Sequence, residues 1–379
     1  MPESGFITGC AEVPYTRRPP ATDTTEVLLA RAIVLATRQA GLEPRDIDGL
    51  GVASFTLRPD HAVDLAVKCG LRLRWIMEDT NGGASGLNML QHALRAVQSG
   101  DARHIVLVAG DRMTKDAFQS LVAEYNQATR DYVTPTGMLG PNPMFSLLTQ
   151  RHMSAYGLER ADYGKLVLAQ RHWASLNPGA VYRTPLTIEE YLSAPSVAPP
   201  LHILDCVPPV TGADAVVISQ EQGVSGAPSV KIHGVTGVIN HDLQSGDGLQ
   251  TGLAETAPNL WDKVGFGPAD IDLVAAYDDY PVMVLVQLAD MGFAPGGDLQ
   301  PLIDSISEGR LPVNTSGGQL SAGQAGAAGG MHGLVEVVRQ LRGEAGQRQV
   351  RARRALVTGY GMVTYTHGAC ANAAVLEAA

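Results

Sequence analysis

The chain has 379 residues, 28 Lys and Arg against 38 Asp and Glu, a formal charge of −10, and 45% hydrophobic but only 5% aromatic residues. That length supports one large or two medium domains, and the acidic balance argues against nucleic acid as a main partner, because neutralising phosphates needs a basic face. The four cysteines (Cys10, Cys69, Cys206, Cys370) are too scattered for a zinc site and too few for a secreted disulfide scaffold, so no metal is expected.

The N-terminal Met-Pro-Glu-Ser-Gly has no basic or apolar leader character, and no run of about 18 apolar residues occurs, so a cytoplasmic chain without a membrane span is expected. Strand GFITGCA (5–11) comes first, followed by a helix with Asp23 or Thr24 as its cap. A Gly-x-x-Pro turn then leads to Asp-Ile-Asp (46–48) and a short apolar strand. The small residues GGASG (82–86) open the amphipathic helix LNMLQHALRAVQSG, which Gly100 stops, and HIVLVAG (104–110) reads as a buried strand.

The second half repeats this order. Strand SVKIHGV (229–235) precedes a helix around 255–264, and a second Gly-x-x-Pro turn leads to Asp-Ile-Asp (270–272). GAAGG (326–330) opens a helix stopped by Gly343, and RRALVTGYG (353–361) follows as a strand. Such alternation predicts a largely parallel, buried sheet in each half, with the small-residue helix starts meeting near the centre. The expected halves are 1–222 and 223–379. The stretch 114–205 has no counterpart and is read as an insertion walling a cleft, with GADAVVIS (212–219) as the last strand of the first half. The basic cluster Arg348, Arg351, Arg353 and Arg354 is either a solvated loop or a contact to the phosphates of a nucleotide-bearing thioester.

Five stretches together resemble the thiolase superfamily over essentially the full length: NGGASGLNMLQHA (81–93), LHILDCVPPVTGADAVVIS (201–219), YDDYPVMVLVQLADMGF (277–293), LPVNTSGGQLSAGQAGAAGG (311–330) and TGYGMVTYTHGACANAAVLE (358–377). The resemblance is closest to the sterol-carrier-type thiolases and the steroid side-chain-cleaving aldolases related to them. It implies an α/β fold, a thiolase-like five-layered αβαβα sandwich of two duplicated halves, in a homodimer. Acyl-coenzyme A thioesters are the implied substrates, with coenzyme A entering as part of the substrate and no covalently bound cofactor. A small partner with a zinc ribbon and an oligonucleotide-fold barrel, gripping the coenzyme A, is also implied.

Thiolases carry a nucleophilic cysteine at the start of a buried helix, where the helix dipole lowers its pKa. The matching position here is Gly83, which cannot form an acyl-enzyme. Ser85 stands two residues on and is expected to cap or pack at the helix start. The family's Gly-His-Pro site becomes Gly323-Gln324-Ala325, its His-Asp-Cys-Phe site becomes Tyr277-Asp278-Asp279-Tyr280, and its acid/base cysteine aligns with Val357, beside a glycine loop Gly359-Tyr360-Gly361. Cys206 and Cys370 are read as core-strand or strand-edge residues, and no thiol chemistry is expected. The related aldolases also lack the nucleophile and carry tyrosine at the Tyr277 position. They shorten the segment after Gly-Gly-Gln-Leu, whereas this chain keeps the full glycine loop.

A retro-aldol cleavage needs a base for the hydroxyl proton and donors for the enolate, but no covalent intermediate. The expected catalytic set is therefore Tyr277 as donor or proton-transfer group with Tyr360 as companion, and Asn314 and Gln324 as polar wall or oxyanion donors. Asp278 is expected to orient Tyr277 or to bind backbone amides. The resemblance places coenzyme A against Ser321, Gly323 and Gly361, and the acyl group against Gly83, Ser85 and Tyr280, with Tyr280 alternatively a packing residue. A lyase acting on a bulky β-hydroxyacyl thioester is the first expectation. The alternatives are a non-catalytic acyl-coenzyme A-binding or scaffold subunit, and an acyltransferase with an unorthodox nucleophile.

Overall fold

The computed structural model describes residues 5–223 and 228–379; Met1–Ser4, read above for a leader, and residues 224–227 lie outside the described residues. The first half runs β1 (Gly5–Thr16), α1 (Thr25–Gln39), β2 (Gly49–Ala53), α2 (Ala62–Lys68), β3 (Trp75–Asp79), α3 (Ser85–Ser99) and β4 (His104–Asp111). The insertion then contributes α4 (Lys115–Ala123), α5 (Pro141–Tyr156), α6 (Arg160–Ser175), α7 (Ile188–Ser193) and the small pair β5 (Ser196–Ala198) and β6 (Leu201–His202), before β7 (Thr211–Ser219). The second half holds β8 (Val230–Ile239), α8 (Leu253–Val264), β9 (Leu273–Ala275), α9 (Pro281–Asp290), α10 (Gln300–Ser307), α11 (Gly318–Ala322), α12 (Gly329–Leu341), β10 (Arg354–Val363) and β11 (Gly368–Ala378). Thr24 is the cap of α1, its hydroxyl accepting from the Val27 amide.

The strands lie in the order β3-β2-β4-β7-β1-β8-β11-β10-β9. β2 is parallel to β3 and β4, while β7 is antiparallel to β4 and β1. The second half repeats the pattern, with β9 parallel to β10 and β11 antiparallel to β10 and β8. A single parallel bridge from Val274 to Val313 stands where the first half has β3. The two sets meet through a short antiparallel pairing of β1 with β8.

Side-chain alternation turns this order into layers, because successive strand residues face opposite sides. In β4, Ile105, Leu107 and Ala109 face a central core with α3 and α12, while Val106 and Val108 face an outer core with α1 and α2. In β11, Ala374 and Leu376 face that same central core, while Ala373 and Val375 face a third core with α8 and α9. Sequential layers α, β, α, β, α follow.

The repeated Asp-Ile-Asp has one job performed twice. Asp48 accepts from the amides of Arg103 and His104, and Asp272 accepts from those of Arg353 and Arg354, at 2.8–2.9 Å. Each carboxylate thus ties the strand after the turn to its parallel neighbour. The helix starts meet without side chains: a Cβ on Gly86 would lie 2.2 Å from the carbonyl oxygen of Gly330, and one on Gly330 would lie 2.5 Å from that of Gly83.

The basic cluster is not one patch. Arg348 is buried and paired to Glu336 at 2.8 Å, while Arg353 and Arg354 pair with Glu377. In the central layer Glu12 of β1 lies directly opposite Asp214 of β7, a like-charge cross-strand pair that is unfavourable unless compensated. Tyr15 donates to Asp214 at 2.5 Å, and His332 and Arg339 of α12 lie 3.5 and 3.6 Å from Glu12. Burial raises Glu12, but His332 and Arg339 outweigh it and bring that carboxyl down to about 2. Burial and the facing Glu12 push Asp214 up to about 7, and the neighbouring Glu12 and Asp214 carboxylates raise His332 against its burial.

Two outcomes follow from these packings. Gly86→Val destabilises the fold by about 3 kcal/mol or more, read from the urea midpoint, because a backbone carbonyl cannot yield to the added atoms. Asp214 and His332 hold protons in the folded state longer than in the unfolded chain. Their contribution is therefore complete below the unfolded pKa and lost as pH rises through the folded one, the Asp214 part between about 4 and about 7. Urea unfolding is expected to show lower stability at pH 8 than at pH 5.5, with a smaller difference in Asp214→Asn.

Candidate active site

A cavity of about 370 Å³ opens where the two halves meet the insertion. Its floor is built from the turn ahead of α3 (Gly82, Gly83), the link from β9 to α9 (Tyr277, Asp279, Tyr280), Gln324 and Gly326 ahead of α12, and the end of β10 (Tyr360–Val363). Its roof comes from the insertion, with Phe118, Leu121 and Val122 of α4, Tyr125 of the link that follows α4, Met144 and Phe145 of α5, and Ile203. Among the described residues, no His, Lys or Arg lines it.

The geometry centres on Gly83. A Cβ there would lie 2.2 Å from Cε2 and Cζ of Tyr277 and 2.3 Å from the carbonyl oxygen of Tyr360. The Tyr277 ring thus occupies the space that a side chain at residue 83 would need. The backbone of Tyr277 is pinned on both sides: its amide donates to Oγ1 of Thr358 at 3.1 Å, and its carbonyl accepts from Nε2 of Gln287 at 2.7 Å. The Thr358 hydroxyl closes the ring by donating to Oε1 of Gln287 at 2.7 Å. At the other end of the side chain, Nε2 of Gln324 donates to the Tyr277 hydroxyl and to Oε1 of Gln319, each at 3.1 Å. Burial, then the facing Asp279, hold the Tyr277 pKa well above that of a free phenol, so this group stays neutral and able to donate.

Of the residues anticipated from sequence, Gly83, Tyr277, Tyr280, Gln324, Tyr360 and Gly361 line the cavity. Tyr280 stacks on Phe145 with centroids 4.3 Å apart and donates to Oδ1 of Asn142 at 2.6 Å, so it packs and lines at once. Tyr360 is not in a loop: Gly359-Tyr360-Gly361 lies within β10, paired to β11. Its hydroxyl accepts from the Gly368 amide and its ring packs over Gly368, so the phenol is tied to the β10–β11 turn and has no hydrogen bond to Tyr277. Gly361 has a backbone role, since a Cβ there would lie 2.4 Å from the Asn81 carbonyl.

The other expected residues stand behind the wall. Asn314 adopts φ 54°, which asparagine tolerates, and its Oδ1 accepts from the Ala276 amide at 2.8 Å. It borders a separate void of about 10 Å³, not the cavity, and fixes the strand end ahead of Tyr277. Asp278 accepts from the Gln319 amide at 2.9 Å and the Leu320 amide at 3.4 Å, near the start of α11. It is the amide-bound carboxylate among the two roles considered, and burial pushes it up to about 7. Ser321 accepts from Nε of Arg171 at 2.9 Å and is fully buried, and Gly323, at φ 112°, faces Val210, whose Cγ1 would lie 2.7 Å from an added Cβ; neither lines the cavity. Ser85 is buried in the first turn of α3 and makes no contact with the cavity.

Of the lining residues that were not anticipated from sequence, three carry titratable groups: Asp279, Tyr125 and Cys206. Asp279 lines the cavity where Asp278 was chosen, because two adjacent acids in one link face opposite ways. Tyr125 belongs to the unrepeated insertion, which offers no internal comparison. Cys206 lies in the link between β6 and β7 at the cavity wall, not in a core strand, and burial pushes its thiol up to about 12. Cys370 does lie in β11, with its thiol raised by burial to about 11, so both sulfurs remain protonated and weakly nucleophilic at neutral pH.

Refilling residue 83 tests this geometry. Gly83→Ala is expected to lower stability, and Tyr277→Ala is expected to relieve part of that loss, leaving the clash with the Tyr360 carbonyl. A double-mutant cycle in urea should give a coupling of about 1–3 kcal/mol.

Comparison with known proteins agrees with this layout. The thiolase C-terminal domain-like family matches residues 239–372. Over 361 residues the chain is 31% identical to the 17-hydroxy-3-oxo-4-pregnene-20-carboxyl-CoA lyase of Mycobacterium tuberculosis, spanning 89% of this chain and 92% of the relative. It is 29% identical to the steroid side-chain-cleaving aldolase of Thermomonospora curvata, spanning 96% and 97% of the two chains. Among solved structures, the Ltp2-ChsH2(DUF35) aldolase superposes with a TM-score of 0.84 at 26% identity, covering 100% of this chain and 98% of that one. A monomeric SCP2-thiolase-like protein type 1 from Mycobacterium smegmatis superposes at 0.77 with 17% identity, covering 100% and 78%, which supports the fold alone. The chain belongs to the thiolase superfamily, in the sterol-carrier-type group that includes the steroid side-chain-cleaving aldolases.

Proposed function

We propose that this chain cleaves a carbon–carbon bond of a bulky β-hydroxyacyl-coenzyme A by retro-aldol chemistry, without an acyl-enzyme. The observation that carries this is the Tyr277 ring lying over Gly83, so that a neutral phenol stands where a thiol would have to be. The Tyr277 hydroxyl accepts from Gln324, which leaves its own proton for the substrate. When the Cα–Cβ bond opens, negative charge moves onto the thioester oxygen, and a pinned neutral donor in a water-poor site stabilises that oxygen more than it stabilises the ground state. The names of the relatives, a carboxyl-CoA lyase and a steroid side-chain-cleaving aldolase, support the same class of reaction.

The cavity volume of about 370 Å³ falls within the range of sites that enclose sizeable ligands, and its apolar roof of Phe118, Leu121, Val122 and Met144 suits a bulky hydrocarbon acyl group such as a steroid. In this reading coenzyme A enters as part of the substrate, and no covalently bound cofactor is used. A small coenzyme A-gripping partner is part of the proposal, supported by the ChsH2(DUF35) component named with the structural relative. A homodimer across the first-half sheet is proposed too: β3 is an edge strand, and Ile76 on it is 47% exposed. No described helix is long and apolar enough to cross a membrane, and a cytoplasmic setting is proposed with it.

The test uses 17-hydroxy-3-oxo-4-pregnene-20-carboxyl-CoA, assayed with the full chain alone and with a DUF35-type partner. Tyr277→Phe is expected to lower kcat about 100-fold or more with KM changed only a few-fold, as removal of an oxyanion donor does, and Gln324→Ala about 10-fold. A Tyr277→Phe variant as active as the wild type, or a stable acyl-protein adduct by mass spectrometry, would sink the proposal. Thioester binding without turnover in either setting would favour a scaffold subunit instead.

A further inference from the structure

The cavity contains one carboxylic acid among its described lining residues, Asp279. It directly precedes Tyr280, the cap of α9, so its carboxylate sits at the positive end of a ten-residue helix, where an anion is favoured. Its Oδ1 is buried with no hydrogen-bond partner, whereas both oxygens of neighbouring Asp278 are taken by the Gln319 and Leu320 amides. An acceptor left open beside a cavity is completed when a ligand hydroxyl donates to it.

The remaining titratable groups on the wall are four phenols and a thiol: Tyr125, Tyr277, Tyr280, Tyr360 and Cys206. Burial drives all of them further from ionisation, with Tyr125 and Cys206 each raised to about 12. A free carboxyl titrates about six units below a free phenol, and burial and Asp278 raise Asp279 in turn, so among the lining groups Asp279 is the one whose ionised form is the most accessible.

Resting on the retro-aldol reading above, we infer that Asp279 is the proton shuttle of the reaction. Its carboxylate takes the proton of the substrate β-hydroxyl while that C–O bond becomes a carbonyl. The electron pair of the Cα–Cβ bond passes to the thioester as an enolate, whose oxygen Tyr277 holds by hydrogen bonding. Asp279 then returns the same proton to Cα, which yields the ketone and the shortened acyl thioester and restores the carboxylate. No other reactant is consumed. Burial and the adjacent Asp278 raise the Asp279 pKa, which brings proton uptake and proton return closer in free energy.

Asp279→Asn keeps the size of the side chain and replaces its ionisable, proton-accepting oxygen with an amide that cannot act as a base near neutral pH. With the steroid thioester named above, kcat is expected to fall about 100-fold or more while KM and the Tm stay close to wild type. Asp279→Ala is expected to be similarly impaired and to regain turnover, saturably, with added formate, which a purely structural role would not produce. If the wild type turns over and Asp279→Asn stays within about threefold, or if formate restores nothing to an Asp279→Ala enzyme that still binds the thioester, the shuttle assignment falls and the retro-aldol reading stands. If the wild type cleaves neither this thioester nor a short 3-hydroxyacyl-CoA, alone or with a DUF35-type partner, both fall.

Discussion

The contact between the Tyr277 ring and the bare backbone of Gly83 is the constraint around which the cavity is arranged. It is a steric exclusion, with a virtual Cβ and an aromatic carbon only 2.2 Å apart, so residues 83 and 277 cannot both carry large side chains. The exclusion has support on every side. Thr358 and Gln287 hold the Tyr277 backbone, Gln324 holds its hydroxyl, and Asn314 holds the strand end that delivers it. A group fixed at both ends loses little entropy when a substrate arrives, which is what a stabilising donor needs.

Much of this architecture is legible in the amino-acid order because the chain states it twice. The paired Asp-Ile-Asp turns, the paired small-residue helix starts and the paired buried strands predict two similar sheets around a shared helical layer. Local physics suffices there: alternation sets faces, and glycines mark where backbones touch. The loss of a nucleophile at Gly83 was equally readable, since no arrangement of neighbours gives glycine a leaving or attacking group.

The parts that were not legible share a cause: they depend on which way a side chain points within an irregular link. Asp278 and Asp279 are adjacent and chemically identical, yet one caps the amides of α11 and the other faces the cavity. Tyr360 carries a phenol at a suggestive position, but strand pairing in β10 aims it at the Gly368 amide. Ser321 and Asn314 sit in a segment that matches a binding loop, and long-range partners, Arg171 and the Ala276 amide, claim them. The insertion added Tyr125 without any repeat to reveal it.

The floor and the roof of the cavity come from different parts of the chain. Tyr277, Gln324 and Gly83 belong to the duplicated framework, whose atoms are packed too closely to tolerate change. Phe118, Leu121 and Val122 belong to a short surface helix that no strand depends on. Natural variation can therefore redraw the outline of the accepted molecule through α4 and α5 while the bond-breaking apparatus is inherited unchanged.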